Sequence, residues 1–135
     1  MAKILFIVGY EGWVLEDFLA HILSNSIQIV VDVRQIPKSR KKGFSKSELK
    51  EALEKAGVEY LHLRELGTPA EFRQKLKQDQ NYNLFFQKYR NYLKQKPEVL
   101  NKLIELVKNK NLCLLCFEQN YKFCHRKIIA QEIYK

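Results

Sequence analysis

The chain has no hydrophobic run long enough to cross a membrane. Its longest apolar runs, such as Ile4–Val8, fall far short of the roughly 20 residues that span a bilayer. No small-residue cleavage site follows the first apolar run, so we expect no signal peptide and a cytoplasmic location. The three cysteines are an odd number. This count argues against a disulfide framework and fits a compartment that keeps thiols reduced.

Acidic residues are also scarce. The chain has 24 Lys and Arg against 15 Asp and Glu, which makes a formal net charge of +9. Such a charge favours polyanionic partners through long-range attraction and counterion release. The alternative is a lysine-rich surface that is simply solvated. The 135 residues contain no internal repeat, low-complexity tract or linker, so we expect one domain over residues 1–135.

Apolar runs and amphipathic segments alternate along the chain. The runs typical of buried strands are Lys3–Gly9, Ile27–Val33, Val58–Leu63 and Asn111–Phe117. The segments with helical spacing are Trp13–Leu23, Ser45–Gly57, Pro69–Lys110 (interrupted near Asn81–Asn83 and at Pro97) and Cys124–Lys135. This alternation predicts an α/β fold: a mainly parallel central sheet of about four strands, flanked by helices, with a helical insertion before the last strand.

The helix over Ser45–Gly57 has sequence signals at both of its ends. Ser45 and Glu48 have the spacing of a capping box, and Gly57 is suited to a left-handed C-terminal cap. In the insertion, aromatic residues recur at helical spacing from Tyr82 to Tyr92. We interpret them as a stripe facing the core in preference to a surface that stacks nucleic-acid bases.

Ionisable residues follow the predicted strands at their carboxyl ends, where open parallel sheets bind ligands. Asp32 and Arg34 share one face of the second strand, which suits either an ion pair or a ligand clamp. Beyond them lies a basic loop around Ser39 and Arg40. It is either a solvated loop or a phosphate-binding loop, because Arg offers two parallel hydrogen bonds to an anion.

The three cysteines lie close to the fourth predicted strand. Cys113 and Cys116 have C-x-x-C spacing, but residues three apart on a strand point to opposite faces, and no second such pair exists. We therefore predict no bound metal and no cofactor, and a core position for Cys113. Cys116 and Glu118 share a face where that strand ends.

A second group of candidate residues opens the last helix. Cys124, His125 and Arg126 lie where a helix N-terminus can bind an anion and lower a cysteine pKa. Cys116 or Cys124 is a candidate nucleophile, and Glu118 or His125 a candidate for proton transfer. The alternative is a buried polar network that holds the loop to the helix. The full anion-binding prediction is Arg34, Ser39, Arg40 and Arg126, supported by Gly9, Tyr10 and Asp32.

These blocks together resemble a known family. They are Gly9-Tyr10, Asp32-Val33-Arg34 with Pro37, Ser39 and Arg40, Phe44, Tyr60, Leu66-Gly67, Cys116-x-Glu118 and Cys124-His125-Arg126. Their order, over residues 7–129, resembles the small bacterial and archaeal proteins of the domain-of-unknown-function family numbered 488. The family often has a second Gly after Leu-Gly, where this chain has Thr68. The resemblance implies an α/β domain with these blocks at its site, and no established activity.

Three functions are compatible with these patterns. The first is an anion or phosphate site at the strand ends, in an enzyme acting on a nucleotide-like or nucleic-acid substrate. The second is a non-catalytic nucleic-acid-binding module. The third is a metal-binding protein that uses Cys116, Cys124 and His125. The expected partners are a phosphorylated small molecule or a nucleic acid, with no membrane, and the oligomeric state is left open.

Overall fold

The computed structural model describes residues 5–117 and 124–134. In these ranges the strands are β1 (Leu5–Gly9), β2 (Ile29–Asp32), β3 (Glu59–His62) and β4 (Leu112–Cys116). The helices are α1 (Leu15–Ser24), α2 (Lys46–Lys55), α3 (Ala70–Asp79), α4 (Tyr82–Lys94), α5 (Pro97–Asn109) and α6 (Arg126–Ile133), with a 3-10 turn at Arg64–Leu66. The predicted α/β fold, including the helical insertion before the last strand, is confirmed.

The strands form one parallel sheet in the order β1-β4-β2-β3. Leu114 of β4 is in register with Ile7 of β1 on one side and with Val31 of β2 on the other. On the far side of β2, Val31 pairs with Leu61 of β3. The last strand of the chain therefore lies between the first two.

Helices cover both faces of the sheet. On one face, Val30 and Leu115 pack in a cluster with Phe18 of α1 and Leu49 of α2. On the other face lies the cluster formed by α4, α5 and α6, with α3 at its margin through Phe72 and Leu76. The aromatic stripe of α4 faces this cluster, as expected, since Phe85, Phe86 and Tyr89 are buried. Within residues 5–117 and 124–134, no helix is both long and apolar enough to cross a membrane.

The predictions for the two ends of α2 had different outcomes: the one for its start was wrong, and the one for its end is confirmed. Ser45 occupies the N-cap position of α2, but its side chain makes no capping hydrogen bond. Its hydroxyl instead accepts the N–H of Ser39 at 3.0 Å and donates to the Ser39 carbonyl at 3.1 Å, so it closes the preceding loop. Gly57, directly after the end of α2, has φ +83, the left-handed conformation expected of it.

The arrangement of helices opens a crevice at the carboxyl end of the sheet. The chain leaves β1 and β2 for helices on one face, whereas it leaves β4 for α6 on the opposite face. Because β4 is the neighbour of both β1 and β2, the connections diverge on either side of it. Such a divergence point is where open α/β sheets place their ligands.

Candidate functional site

A cavity of about 200 Å³ lies in this crevice. Its walls come from the ends of β1, β2 and β4, from the segment before α3 and α3 itself, and from the residue before α6. The lining residues are Tyr10, Arg34, Gln35, Ile36, Lys38, Thr68, Arg73, Cys116, Phe117 and His125. A groove of about 510 Å³ between α1 and α2 is larger but shares no residue with this cavity. Four of the candidate residues from the sequence line the smaller space: Tyr10, Arg34, Cys116 and His125.

Asp32 and Arg34 form a buried ion pair beside the cavity. Arg34 Nε donates to Asp32 Oδ1 at 2.8 Å, and its Nη2 donates to Oδ2 at 2.6 Å. Tyr60 donates its hydroxyl to Oδ2 at 2.5 Å. Asp32 is fully buried and Arg34 is 6% exposed. Of the two interpretations of this pair, the structure shows the ion pair, and a ligand contact by Arg34 stays a prediction.

The ion pair also shapes the acid–base properties of its members. Burial lowers the pKa of Arg34, but hydrogen bonding and charge attraction from Asp32 outweigh it and raise the pKa above its usual value. The pKa of Tyr60 is raised by burial and by the negative charge of Asp32. Arg34 therefore keeps its positive charge. Its third guanidinium nitrogen, Nη1, donates to the Phe44 carbonyl at 2.7 Å.

The basic loop contributes less to the cavity than its sequence indicates. The Ser39 hydroxyl accepts the N–H of Lys41 at 3.1 Å, which stabilises the loop itself. Arg40 is exposed, and neither it nor Ser39 lines the cavity, whereas Lys38 does. An anion-binding role for Ser39 and Arg40 stays a prediction.

Arg73 is a cavity residue that the sequence reasoning missed. Its Nη1 donates to the carbonyl of Thr68 at 2.9 Å, and its Nη2 donates to the side-chain oxygen of Gln35 at 3.0 Å. Arg73 lies close to the N-terminus of α3, where the helix dipole disfavours a cation. That unfavourable position is the one signal in the sequence that could have singled it out.

Cys116, Cys124 and His125 come together at the inner wall. Cys124 Sγ lies 3.4 Å from His125 Nδ1 and 3.2 Å from Arg126 Nε, and the Cys116 side chain hydrogen-bonds to it as well. His125 Nε2 lies 2.9 Å from the carbonyl oxygen of Val33. A carbonyl only accepts hydrogen bonds, so Nε2 carries a proton and Nδ1 faces the sulfur.

These neighbours lower the pKa of Cys124. Burial, the largest single influence, raises the pKa of Cys124, yet the hydrogen bond from Cys116 and the attraction of His125 and Arg126 bring it well below its usual value. Cys113 differs, because burial raises its pKa to about 12. Cys113 packs on the opposite face of the sheet from Cys116, as predicted.

The remaining candidates are distributed around this wall. Cys116 and His125 border the cavity, whereas Arg126 is fully buried and Cys124 nearly so. Gly9 is the last residue of β1, and Tyr10 lines the cavity with its ring stacked 4.7 Å from that of Phe44. Glu118 lies outside the described residues. The catalytic roles of Glu118, Cys116, Cys124 and His125 stay predictions.

Comparison with family models shows the family to which the chain belongs. The family model described as "Domain of unknown function DUF488" matches residues 14–133, almost the whole chain. No curated protein and no solved structure matches the chain significantly. The blocks around Arg34 and around Cys124 both lie inside the matched range. The chain therefore belongs to the DUF488 family, whose function is unknown.

Proposed function

We propose that the cavity at the carboxyl end of the sheet binds a small oxyanion with the size and charge of a phosphate group. The observation that carries this proposal is the sign of the charges in its wall. Arg34, Lys38 and Arg73 line the cavity, and among residues 5–117 and 124–134 no carboxylate does. A concave, one-signed wall of this kind concentrates ions of the opposite charge.

The three cations are not equivalent. The charge of Arg34 is compensated by Asp32 at 2.6 Å. Over residues 5–117 and 124–134, neither Lys38 nor Arg73 takes part in an ion pair, and Arg73 donates only to neutral oxygens. An oxyanion therefore gains most of its electrostatic attraction from Arg73 and Lys38. The charge of Arg34 is already balanced by Asp32, so this residue contributes mainly to the structure of the cavity wall.

The volume of the cavity limits the size of the ligand that it can enclose. Pockets for drug-sized ligands measure roughly 300–1,000 Å³. At about 200 Å³, this cavity accommodates a phosphate or a small phosphorylated fragment and leaves a nucleoside outside. A nucleotide or a nucleic acid would thus place one phosphate here, beside the Cys116 thiol and the His125 ring.

Calorimetric titration with inorganic phosphate at low salt tests the proposal. Replacing Arg73 with Gln removes a charged donor, so we expect the dissociation constant to rise by roughly 10- to 100-fold. Arg73→Lys keeps the charge but loses the planar fork, and its affinity should fall between the two. Lys50→Ala, on an exposed position of α2, is the control for a loss of net charge.

The decisive comparison is between the phosphate affinities of the cavity variant, Arg73→Gln, and the control variant, Lys50→Ala. Circular dichroism first establishes that each variant is folded. Phosphate affinity that falls with Arg73→Gln and not with Lys50→Ala supports the cavity. Equal affinities in the wild type, Arg73→Gln and Lys50→Ala would overturn the proposal.

A non-catalytic nucleic-acid-binding module is a second candidate, because the chain has a net charge of +9. This function predicts affinity for a single-stranded oligonucleotide that falls with salt, with a logarithmic slope of roughly one per phosphate contact. Under this alternative, Lys50→Ala and Arg73→Gln should weaken binding similarly, since the contact would involve the diffuse positive surface. Fluorescence anisotropy of a labelled oligonucleotide at several salt concentrations measures both properties.

A further inference from the structure

Two thiols and one imidazole converge at the inner wall of the cavity. The ligand atoms of Cys116, Cys124 and His125 all lie within 4.8 Å of one another, and all three residues are buried. Zinc sites have Zn–S distances of about 2.3 Å and Zn–N distances of about 2.0–2.1 Å, so neighbouring ligand atoms of a tetrahedral shell are roughly 3.5 Å apart. The 3.4 Å between Cys124 Sγ and His125 Nδ1 has that length.

From this geometry we infer that Cys116, Cys124 and His125 form a binding site for a thiophilic divalent cation of the zinc class, with one coordination position open to the cavity. The inference departs from the prediction of no bound metal, which rested on the spacing of Cys113 and Cys116, and it favours the third function considered from the sequence. Cys113 takes no part, because it belongs to the cluster on the other face of the sheet.

The orientation of His125 supports coordination through Nδ1. Its Nε2–H donates to the backbone carbonyl of Val33 at 2.9 Å, at the end of β2. Metal-binding histidines commonly donate their other ring N–H to a carbonyl or carboxylate, which fixes the tautomer and the ring plane. Here that hydrogen bond leaves Nδ1 as the ligand atom on the side of Cys124.

The charge balance of the site is also favourable. Two thiolates neutralise a divalent cation, so the occupied cluster adds no net charge to a buried position. Arg126 donates its Nε–H to Cys124 Sγ at 3.2 Å, and a sulfur that binds a metal can still accept such a hydrogen bond. The ligand set of two thiols and one imidazole suits zinc-like ions and disfavours magnesium or calcium, which prefer oxygen ligands.

The position of the cluster argues for an open site. Cys116 and His125 border the cavity, while Cys124 lies behind them. Sites with three protein ligands keep the fourth position for water or another small ligand. If the proposed function is correct, the oxyanion held by Arg73 and Lys38 occupies that fourth position. The metal site itself does not depend on that proposal.

Cobalt(II) substitution tests the inference, because cobalt reports its ligands in the absorption spectrum. The untagged, reduced protein is titrated with Co²⁺ and then with Zn²⁺. We expect one equivalent of Co²⁺ to produce a thiolate-to-cobalt charge-transfer band and the visible bands of a tetrahedral ion, and Zn²⁺ to displace it. Bound Zn²⁺ should also slow the alkylation of Cys116 and Cys124 relative to the metal-free protein, as measured by mass spectrometry, whereas Cys113 resists alkylation in both because it is fully buried.

Cysteine variants provide a matched control. Cys116→Ser should weaken Co²⁺ binding at least about tenfold, since it removes a direct ligand. Cys113→Ser should leave the spectrum and the affinity unchanged. His125→Gln should shift the visible bands while the charge-transfer band persists. Circular dichroism verifies that each variant is folded.

The inference is wrong if Co²⁺ gives no thiolate band, or if Cys116→Ser binds it as tightly as the wild type. The inference is also wrong if the reduced protein binds no metal and exposure to air instead joins Cys116 and Cys124 in a disulfide. Mass spectrometry would detect that disulfide as a loss of two hydrogens. Phosphate titration of chelator-treated protein separates the two proposals. Phosphate binding that depends on Arg73 without any metal site leaves the proposed function standing, and metal binding without phosphate binding leaves this inference standing.

Discussion

Replacing Asp32 with Asn tests how strongly the buried ion pair stabilises the site. Asp32 is fully buried and receives hydrogen bonds from the Arg34 side chain, the Arg34 backbone and the Tyr60 hydroxyl. Asn keeps the shape and one acceptor oxygen but removes the negative charge. The Arg34 guanidinium, only 6% exposed, then remains charged without a counterion.

The expected cost follows from that burial. Breaking a buried ion pair by removing one partner costs about 3–5 kcal/mol. The acceptor that Asn retains places the expected loss at the low end, about 3 kcal/mol. This is a large fraction of the roughly 5–15 kcal/mol by which domains are stable. With a urea dependence of about 2 kcal/mol per molar, the unfolding midpoint should fall by about 1.5 M.

Urea unfolding, followed by circular dichroism, measures this shift. Glu51→Gln is the matched control, because Glu51 pairs with Lys55 at 3.0 Å where both side chains are mostly exposed. Exposed pairs contribute less than about 1 kcal/mol, so that midpoint should barely move. Arg34→Met and the double variant with Asp32→Asn complete the cycle, and their costs should be less than additive by at least about 1 kcal/mol. An Asp32→Asn midpoint that matches that of the control would refute the reasoning.

Two further predictions concern the packing around the site and the opposite face of the sheet. Gly67→Ala should lower the melting temperature and cost about 1–3 kcal/mol, because its Cβ would lie 2.4 Å from the backbone of Gln35; an unchanged melting temperature would contradict this. Cys113 has a folded-state pKa of about 12, above the usual thiol value, so its contribution to stability is complete below about pH 9 and is lost as the pH rises towards 12. Urea unfolding at about pH 8 and about pH 10 should show a smaller loss in Cys113→Ala than in the wild type; equal losses would argue against it.

The elements of the fold could be predicted from the sequence because each has a local signal. Alternating and continuous apolar runs predict β1 to β4, and the spacing of apolar residues predicts the helices. The order of strands has no such signal, since pairing of β4 with β1 and β2 depends on how the helices pack. The capping prediction at Ser45 was wrong for a similar reason. The loop before α2 brings Ser39 within reach of its hydroxyl, and that competing contact is not local to the helix.

The candidate site was predictable where residues directly follow a strand or open the last helix. Arg34 and Cys116 were placed at the carboxyl edge of the sheet because the direction of a parallel strand determines where its end lies. Arg73 was missed because α3 belongs to the insertion, whose packing over that edge is a tertiary property. Arg40 is near Arg34 in sequence, yet it is exposed and lies outside the cavity wall.

The central position of β4 has a consequence for how the protein acquires its structure. In the order of synthesis, β1, β2 and β3 are complete before β4, but β1 does not pair with β2. Leu5–Gly9 finds its hydrogen-bonding neighbour only when Leu112–Cys116 arrives, about a hundred residues later. Such distant pairing slows folding. We therefore expect the sheet to close late, with β4 inserted between strands already made and the cavity completed in the same step.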